Sequence, residues 1–328
     1  MLAIAQETIR MAQKAPGRSY RKGLTVIQLL KMFPDDDAAE KWFEDQRWSE
    51  GRFCPHCGST NTREEKNRKP MPYRCRDCRG HFSVKHGTTM QSSKVGLQKW
   101  AVALYMMTTG IKGTSSMKIY RELGIRQATA WFLMQRIREG FDKGAGVQLP
   151  GPVEVDESYF GGKEKNRHKG KKLRAGRGAV GKTAVAGARH RESNTIRAEV
   201  VSKTDKSTPQ GFVANHVAEG AKVYTDEASA YKGMPFEHES VNHSVGEYVD
   251  GMAHTNGLES FWALLKRGYH GTFHRLSAQH LQRYVREFAG RHNIRDLDTV
   301  AQVTVLARGM VGKRLKYREL VGNSGAGQ

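Results

Sequence analysis

No stretch of this 328-residue chain reaches the roughly 20 consecutive apolar residues that a membrane-spanning helix needs. The opening MLAIAQETIRMAQKAPGRSYRKG also lacks an apolar core behind a basic start, so no secretory signal is expected. A cytoplasmic protein without a membrane partner is the expectation. Cysteine is scarce, with four in all, and they fall together between Cys54 and Cys78. That excludes a disulfide scaffold spread along the chain. Acidic residues are also few: 33 Asp and Glu stand against 54 Lys and Arg, a net charge of +21. A surplus of this size favours a polyanion, because each neutralised phosphate releases condensed counterions. The alternative is a protein that is basic for no such reason, but the charge clusters. Between Lys163 and Lys182 lie nine Lys or Arg, one acid and four glycines, the composition of a mobile basic loop.

What is present is organised in blocks. Leu24–Phe33 has helical apolar spacing and stops before Pro34, and the Asp35–Asp37 run offers an N-cap for a second helix through Trp48. Apolar helices are expected over Leu97–Thr109, Ser115–Leu123 and Gln127–Gly140, and Pro150-Gly151-Pro152 marks a boundary. Strands are expected over Val153–Tyr159, Thr183–His190, Ile196–Val201 and Ala221–Tyr224, with a helix at Thr208–Ala218. The region from Gly257 to His292 reads as helical, broken around Gly268–Arg275.

The cysteines follow C-x2-C-x17-C-x2-C: Cys54, Cys57, Cys75 and Cys78. Two such knuckles can place four thiolates tetrahedrally around a structural Zn²⁺. Redox chemistry and disulfides are the alternatives. A matched second pair argues against the first, and a reducing compartment against the second. His56, His81 and His86 are expected at the surface.

Ser115-Ser116, Gly124 and Arg126-Gln127-Ala128-Thr129 follow the order helix, glycine turn, helix, which can set a recognition helix in the major groove of double-stranded DNA. Arg126, Gln127 and Thr129 would then meet base edges, and Arg136 and Arg138 phosphate. The alternative is an ordinary helical hairpin with Trp131, Phe132, Leu133 and Ile137 as core.

Three acids come from separate segments: Asp156 in VEVDESYFGG, Asp226 in KVYTDEASAY, and Glu259 in HTNGLESFWALLKRGYHGTFH, where Lys266 follows seven residues later. Mg²⁺ takes a few carboxylates plus phosphate oxygens, and two such ions suit in-line displacement at phosphorus. Strand alternation puts Glu154, Asp156 and Ser158 on one face, so Asp156 rather than Glu157 is the candidate ligand. On the helix, Asn256, Trp262 and Lys266 share the face of Glu259. Trp262 either stacks on a base or anchors the helix. Tyr159, Tyr224 and Tyr231 lack the arginine cluster of a tyrosine recombinase.

The strings CPHCGS, YRCRDCRGHFSVKHGT, GTSS…ELGIRQATAW, VEVDESYFGGKEKNRH, VYTDEASAY and HTNGLESFWALLKRGYHGTFH, with HLQRYVREFAGRHN, resemble bacterial insertion-sequence transposases with a zinc ribbon and a DDE catalytic domain. The resemblance implies a multidomain α+β chain: a small zinc ribbon, a helix-turn-helix-like region, then a ribonuclease-H-like mixed α/β domain. The expected boundaries are 1–48 for a helical arm, 49–90 for the ribbon, 91–148 for the DNA-binding helices, 149–310 for the catalytic domain and 311–328 for a basic, partly disordered tail. It further implies Asp156, Asp226 and Glu259 as ligands of two Mg²⁺ (or Mn²⁺) ions, with Lys266 tracking the terminal DNA. The seven-residue spacing to Lys266 favours Glu259 over Asn256 as the third ligand. Lys171, Lys172, Arg174 and Arg267 would add DNA contacts, in a homodimer or higher assembly on nucleoid DNA. A related nuclease and a catalytically silent DNA-binding regulator are the competing functions.

Overall fold

The computed structural model describes residues 21–65, 67–142, 148–162, 168–171, 180–201, 207–226, 231, 233–241 and 256–322. The amino-terminal third is built from short pieces that share one core. Helices α1 (Val26–Met32) and α2 (Asp36–Arg47) start at Thr25 and Asp35, whose side chains accept backbone N–H groups of Gln28 and Ala38. Strands β1 (Thr62–Glu64), β2 (Tyr73–Cys75) and β3 (His81–Phe82) form an antiparallel sheet in that order. Helix α3 (Leu97–Thr109) begins at Gly96, which has no capping side chain of its own. Its cap comes from α2, where Asp36 Oδ1 accepts the Gln98 N–H at 2.8 Å. Trp100 and Leu104 are fully buried in this core.

Helices α4 (Ser116–Leu123) and α5 (Gln127–Arg138) form the expected hairpin. Gly124 between them sits at φ 58°, a left-handed conformation that ends α4 with little steric cost.

The second half carries a five-stranded sheet, β4 (Val153–Phe160), β5 (Thr183–His190), β6 (Ile196–Val201), β7 (Lys222–Asp226) and β8 (Glu237–Val241), in the order β6-β5-β4-β7-β8. β4 is central: it runs antiparallel to β5 and parallel to β7. β5–β6 is antiparallel and β7–β8 parallel. This mixed order is the ribonuclease-H-like arrangement. Helix α6 (Ser207–His216) covers one face, where Val153, Val155, Ala186, Ala188, Phe212 and Val213 pack. Helices α7 (Asn256–Gly268) and α8 (Ala278–Asn293) cover the other, with Val185, Leu258, Phe261, Leu265, Val285 and Phe288. A π-helical turn, Tyr269–Phe273, breaks them where the sequence suggested a break.

Sequence periodicity did not single out β8, α9 (Thr299–Gly309) or α10 (Tyr317–Val321). Val303, Leu306 and Ala307 of α9 belong to the amino-terminal core, beside Trp100 and Met134. The chain therefore returns to its beginning.

Arg138 was expected near phosphate, but it is buried. Its Nε donates to Glu287 Oε2 at 2.7 Å, and its guanidinium lies 3.8 Å from the Tyr284 ring centroid. Arg291 flanks the same carboxylate at 3.7 Å and donates to the Gly110 carbonyl. The hairpin helix α5 is thus bolted to α8 by a charge cluster away from water. Removing one charge from such a cluster leaves the others uncompensated, at about 3–5 kcal/mol. Glu287→Gln should accordingly lower the thermal midpoint by on the order of 10 °C. A midpoint unchanged in calorimetry would mean that water already compensates these arginines.

Candidate functional site

The cysteine cluster forms first. Cys54 and Cys75 are buried, and Cys57 and Cys78 exposed. All four Sγ atoms lie within 4.8 Å of one another, with Cys54–Cys78 and Cys57–Cys75 each at 3.6 Å. A tetrahedral zinc with Zn–S bonds near 2.3 Å sets sulfurs about 3.8 Å apart, so the geometry fits a structural Zn²⁺. Backbone N–H groups already point at the thiols: the Cys78 N–H, joined by the Asp77 N–H and opposed by burial, draws the Cys75 thiol down to about 7. Beneath the cluster, Trp48, Tyr73 and Phe82 meet edge-on or tilted at 5.6–6.0 Å between centroids. His56 is exposed as expected, whereas His81 and His86 are half-buried. His81 pairs with Glu65 at 3.1 Å, and His86 Nδ1 accepts the Ser83 N–H at 3.1 Å. Both histidines brace the ribbon.

At the start of α5, Arg126 and Gln127 are exposed and Thr129 is half-buried. Arg126 and Thr129 border a groove of about 510 Å³ that Lys94 and Lys99 also line. Its one acid, Asp36, is committed to capping α3. The remainder of α5 turns inward, with Leu133 and Ile137 as core. Trp131 and Phe132 are half-buried and pack on His280 and Tyr317, and Arg136 lies over Phe132.

On the central sheet, Asp156 is half-buried on the face that α7 covers. Its Oδ2 accepts the Trp262 indole N–H at 3.0 Å, and its Oδ1 the Glu157 N–H at 2.8 Å. Trp262 is 3% exposed, so it is a core anchor rather than a base-stacking platform. The indole lies against β5 opposite Asp156, at Gly187, whose missing side chain makes room. A Cβ there would sit 2.6 Å from Trp262 Cζ2. Gly187→Ala should therefore push the indole away from Asp156 and cost about 1–3 kcal/mol. Wild-type stability in thermal unfolding would contradict that contact. Glu157 points to the opposite face, where Tyr231 donates to it.

Asp226 ends β7, the parallel neighbour of β4, and its side chain lies outside the described residues. β4 and β7 pair Val153 with Val223 and Glu154 with Tyr224. Asp156 and Asp226 each stand two residues beyond the Glu154–Tyr224 pair, at equal offsets on the two strands. Glu259 is in the first turn of α7 and exposed, and Lys266 and Arg267 are exposed in its last turn. Lys172 and Arg174 lie outside the described residues, as does the side chain of Lys171. Among the described residues the four cysteines are the one group of metal-ligating side chains brought together. The sequence reading passed over Arg189 and Arg191. The available signal was Glu154, an acid facing the same way as Asp156 in an apolar strand, which needs a counter-charge when buried.

A cysteine knuckle domain followed by a ribonuclease-H-like sheet with carboxylates on neighbouring strands defines a class of DNA-rearranging protein. The comparisons agree with it. Residues 148–293 match the ISXO2-like transposase domain, and residues 34–81 the transposase zinc-ribbon domain. An uncharacterized protein in transposable element ISH50 of Halobacterium salinarum is 30% identical over 280 residues, 81% of this chain and 93% of that one. The chain belongs to the IS1595 family of insertion-sequence transposases, with a zinc ribbon and a DDE-type catalytic domain. Among the described residues no helix is long and apolar enough to cross a membrane.

Proposed function

We propose that the protein binds the terminal inverted repeats of its element and carries out metal-dependent 3′-end cleavage and strand transfer. The observation that carries this reading is the Trp262–Asp156 hydrogen bond, which fastens the Glu259-bearing helix α7 to the strand bearing Asp156. The equal offset of Asp156 and Asp226 on parallel strands supports it. Asp156, Asp226 and Glu259 would hold two Mg²⁺ (or Mn²⁺) ions, an all-oxygen donor set that suits hard cations. Two bound ions supply Lewis acidity at the attacking and leaving oxygens of an in-line displacement.

The rest of the work falls to side chains. The Trp262 N–H occupies one Asp156 oxygen and so orients the carboxylate. Lys266, two helical turns beyond Glu259 on the same exposed stripe, offers a positive charge to the terminal phosphates, and Arg267 stands beside it. Arg126, Gln127 and Thr129 would read base edges, and Lys171, Lys172 and Arg174 would contact phosphates. Joining two ends in one event calls for a homodimer or a higher assembly on DNA.

The test uses the full zinc-loaded chain, Mg²⁺, pre-cleaved terminal-repeat duplex and a supercoiled target plasmid. End-joined plasmid is the expected product. Nicked or linear plasmid without joining would make the protein a nuclease instead. Specific end binding with no chemistry would make it a regulator.

A further inference from the structure

Two residues before each candidate acid stands a residue that touches one buried ionic cluster. Glu154 precedes Asp156 on β4, Tyr224 precedes Asp226 on β7, and Gly257 precedes Glu259 on α7. Glu154 is fully buried, and its Oε1 accepts Arg189 Nη1 and Arg191 Nε, each at 3.0 Å. The Arg191 guanidinium carbon lies 3.9 Å from the Tyr224 ring centroid. The Arg189 guanidinium fills the space over Gly257, where an added Cβ would overlap it, and its Nε donates to Asn194 Oδ1 at 2.6 Å. Strand register agrees, since Glu154 pairs with Arg189 across β5 and with Tyr224 across β7. Along a strand two residues span about 6.6 Å, so the cluster lies one layer below Asp156 and Asp226, and it meets α7 at the turn that carries Glu259.

Burying a carboxylate between two guanidinium groups is a poor way to gain stability, because desolvation offsets much of the attraction. Its advantage is direction. A planar guanidinium holds its partners at set angles, whereas apolar side chains slide. We propose that the Glu154–Arg189–Arg191 cluster is the positioning device of the acidic site. It fixes the heights of β4, β7 and the start of α7 against one another, and with them the spacing of the three carboxylates. These residues position; they do not touch the reacting atoms. The inference rests on Asp156, Asp226 and Glu259 being the metal ligands.

The test is a Mn²⁺ titration of the full zinc-loaded chain, followed by electron paramagnetic resonance. Arg189→Lys, which keeps the charge but loses the fork, should raise half-saturation about tenfold, the low end for residues that orient metal ligands. Gly257→Ala changes no charge but displaces Arg189, and should shift the titration the same way. It carries the test should Arg189→Lys fail to fold. Glu287→Gln, which disturbs a buried ionic cluster elsewhere, should lower the melting point and leave the titration in place. Overlay of the folded Arg189 and Gly257 variants on wild type would overturn the proposal, as would an equal shift in the Glu287 variant. Asp156→Asn separates the two levels. Unchanged Mn²⁺ binding there removes the acidic site and the proposal together, while loss there beside unchanged Arg189→Lys removes the positioning role alone.

Discussion

Asp156→Asn should abolish both cleavage and joining, with rates down on the order of 10³-fold or more. Losing one carboxylate from a two-ion site forfeits several kcal/mol of transition-state stabilisation, and about 4 kcal/mol corresponds to three decades of rate. The substitution isolates chemistry from folding. Asparagine has the same shape and keeps one oxygen to accept the Trp262 indole N–H, so the α7–β4 contact survives, while its amide nitrogen no longer accepts the Glu157 N–H. Affinity for terminal-repeat DNA should stay near wild type, and stability should fall only by the one lost acceptor, about 1–3 kcal/mol. Single-turnover cleavage of labelled ends at saturating Mg²⁺ measures the effect. Wild-type rates in the asparagine variant would show that the reacting phosphate sits elsewhere.

Removing zinc should have the second large effect, on structure rather than on rate. Strands β1 and β2 have three residues each and β3 two, too few to hold a sheet without a staple. Structural zinc in such small units is bound with an apparent 10–16 kcal/mol, roughly, and that binding energy is also folding energy. Chelation, or Cys75→Ser, should open the segment around residues 49–82 to protease and weaken end binding. Helices α2, α3 and α9 should stay folded, because Trp100, Leu104 and Val303 bury one another without the metal. The readouts are zinc release, thiol titration and mapped proteolytic sites. A ribbon that still resists protease with four reactive thiols would mean that Trp48, Tyr73 and Phe82 suffice.

Much of this was legible along the chain. Strands β5 and β6 were read to the residue, and so was helix α3, because alternation and apolar spacing are strong there. Asp35, Ser115 and Gly124 announced helix ends by chemistry that acts within a turn. Other features were not legible. β8, EHESV, is polar, and pairing with β7 gives it a strand's shape. Arg138 looked like a surface cation at the end of a basic helix, and only the arrival of Glu287 from 149 residues away makes it core. Trp262 allows two readings along the chain, and Gly187 beneath its ring decides for the core anchor.

The linear order of residues was enough to determine the zinc knuckles, the candidate acids, the polyanion-seeking charge and most of the elements. Each depends on spacing within a few residues or on totals over the whole chain. Tertiary structure alone decided which charges are buried partners, that α9 returns to the amino-terminal core, and that Glu154, Arg189 and Arg191 link the three acid-bearing elements. Those are meetings between residues far apart in sequence, and their energy depends on desolvation and on which neighbour arrives, neither of which is written at any single position.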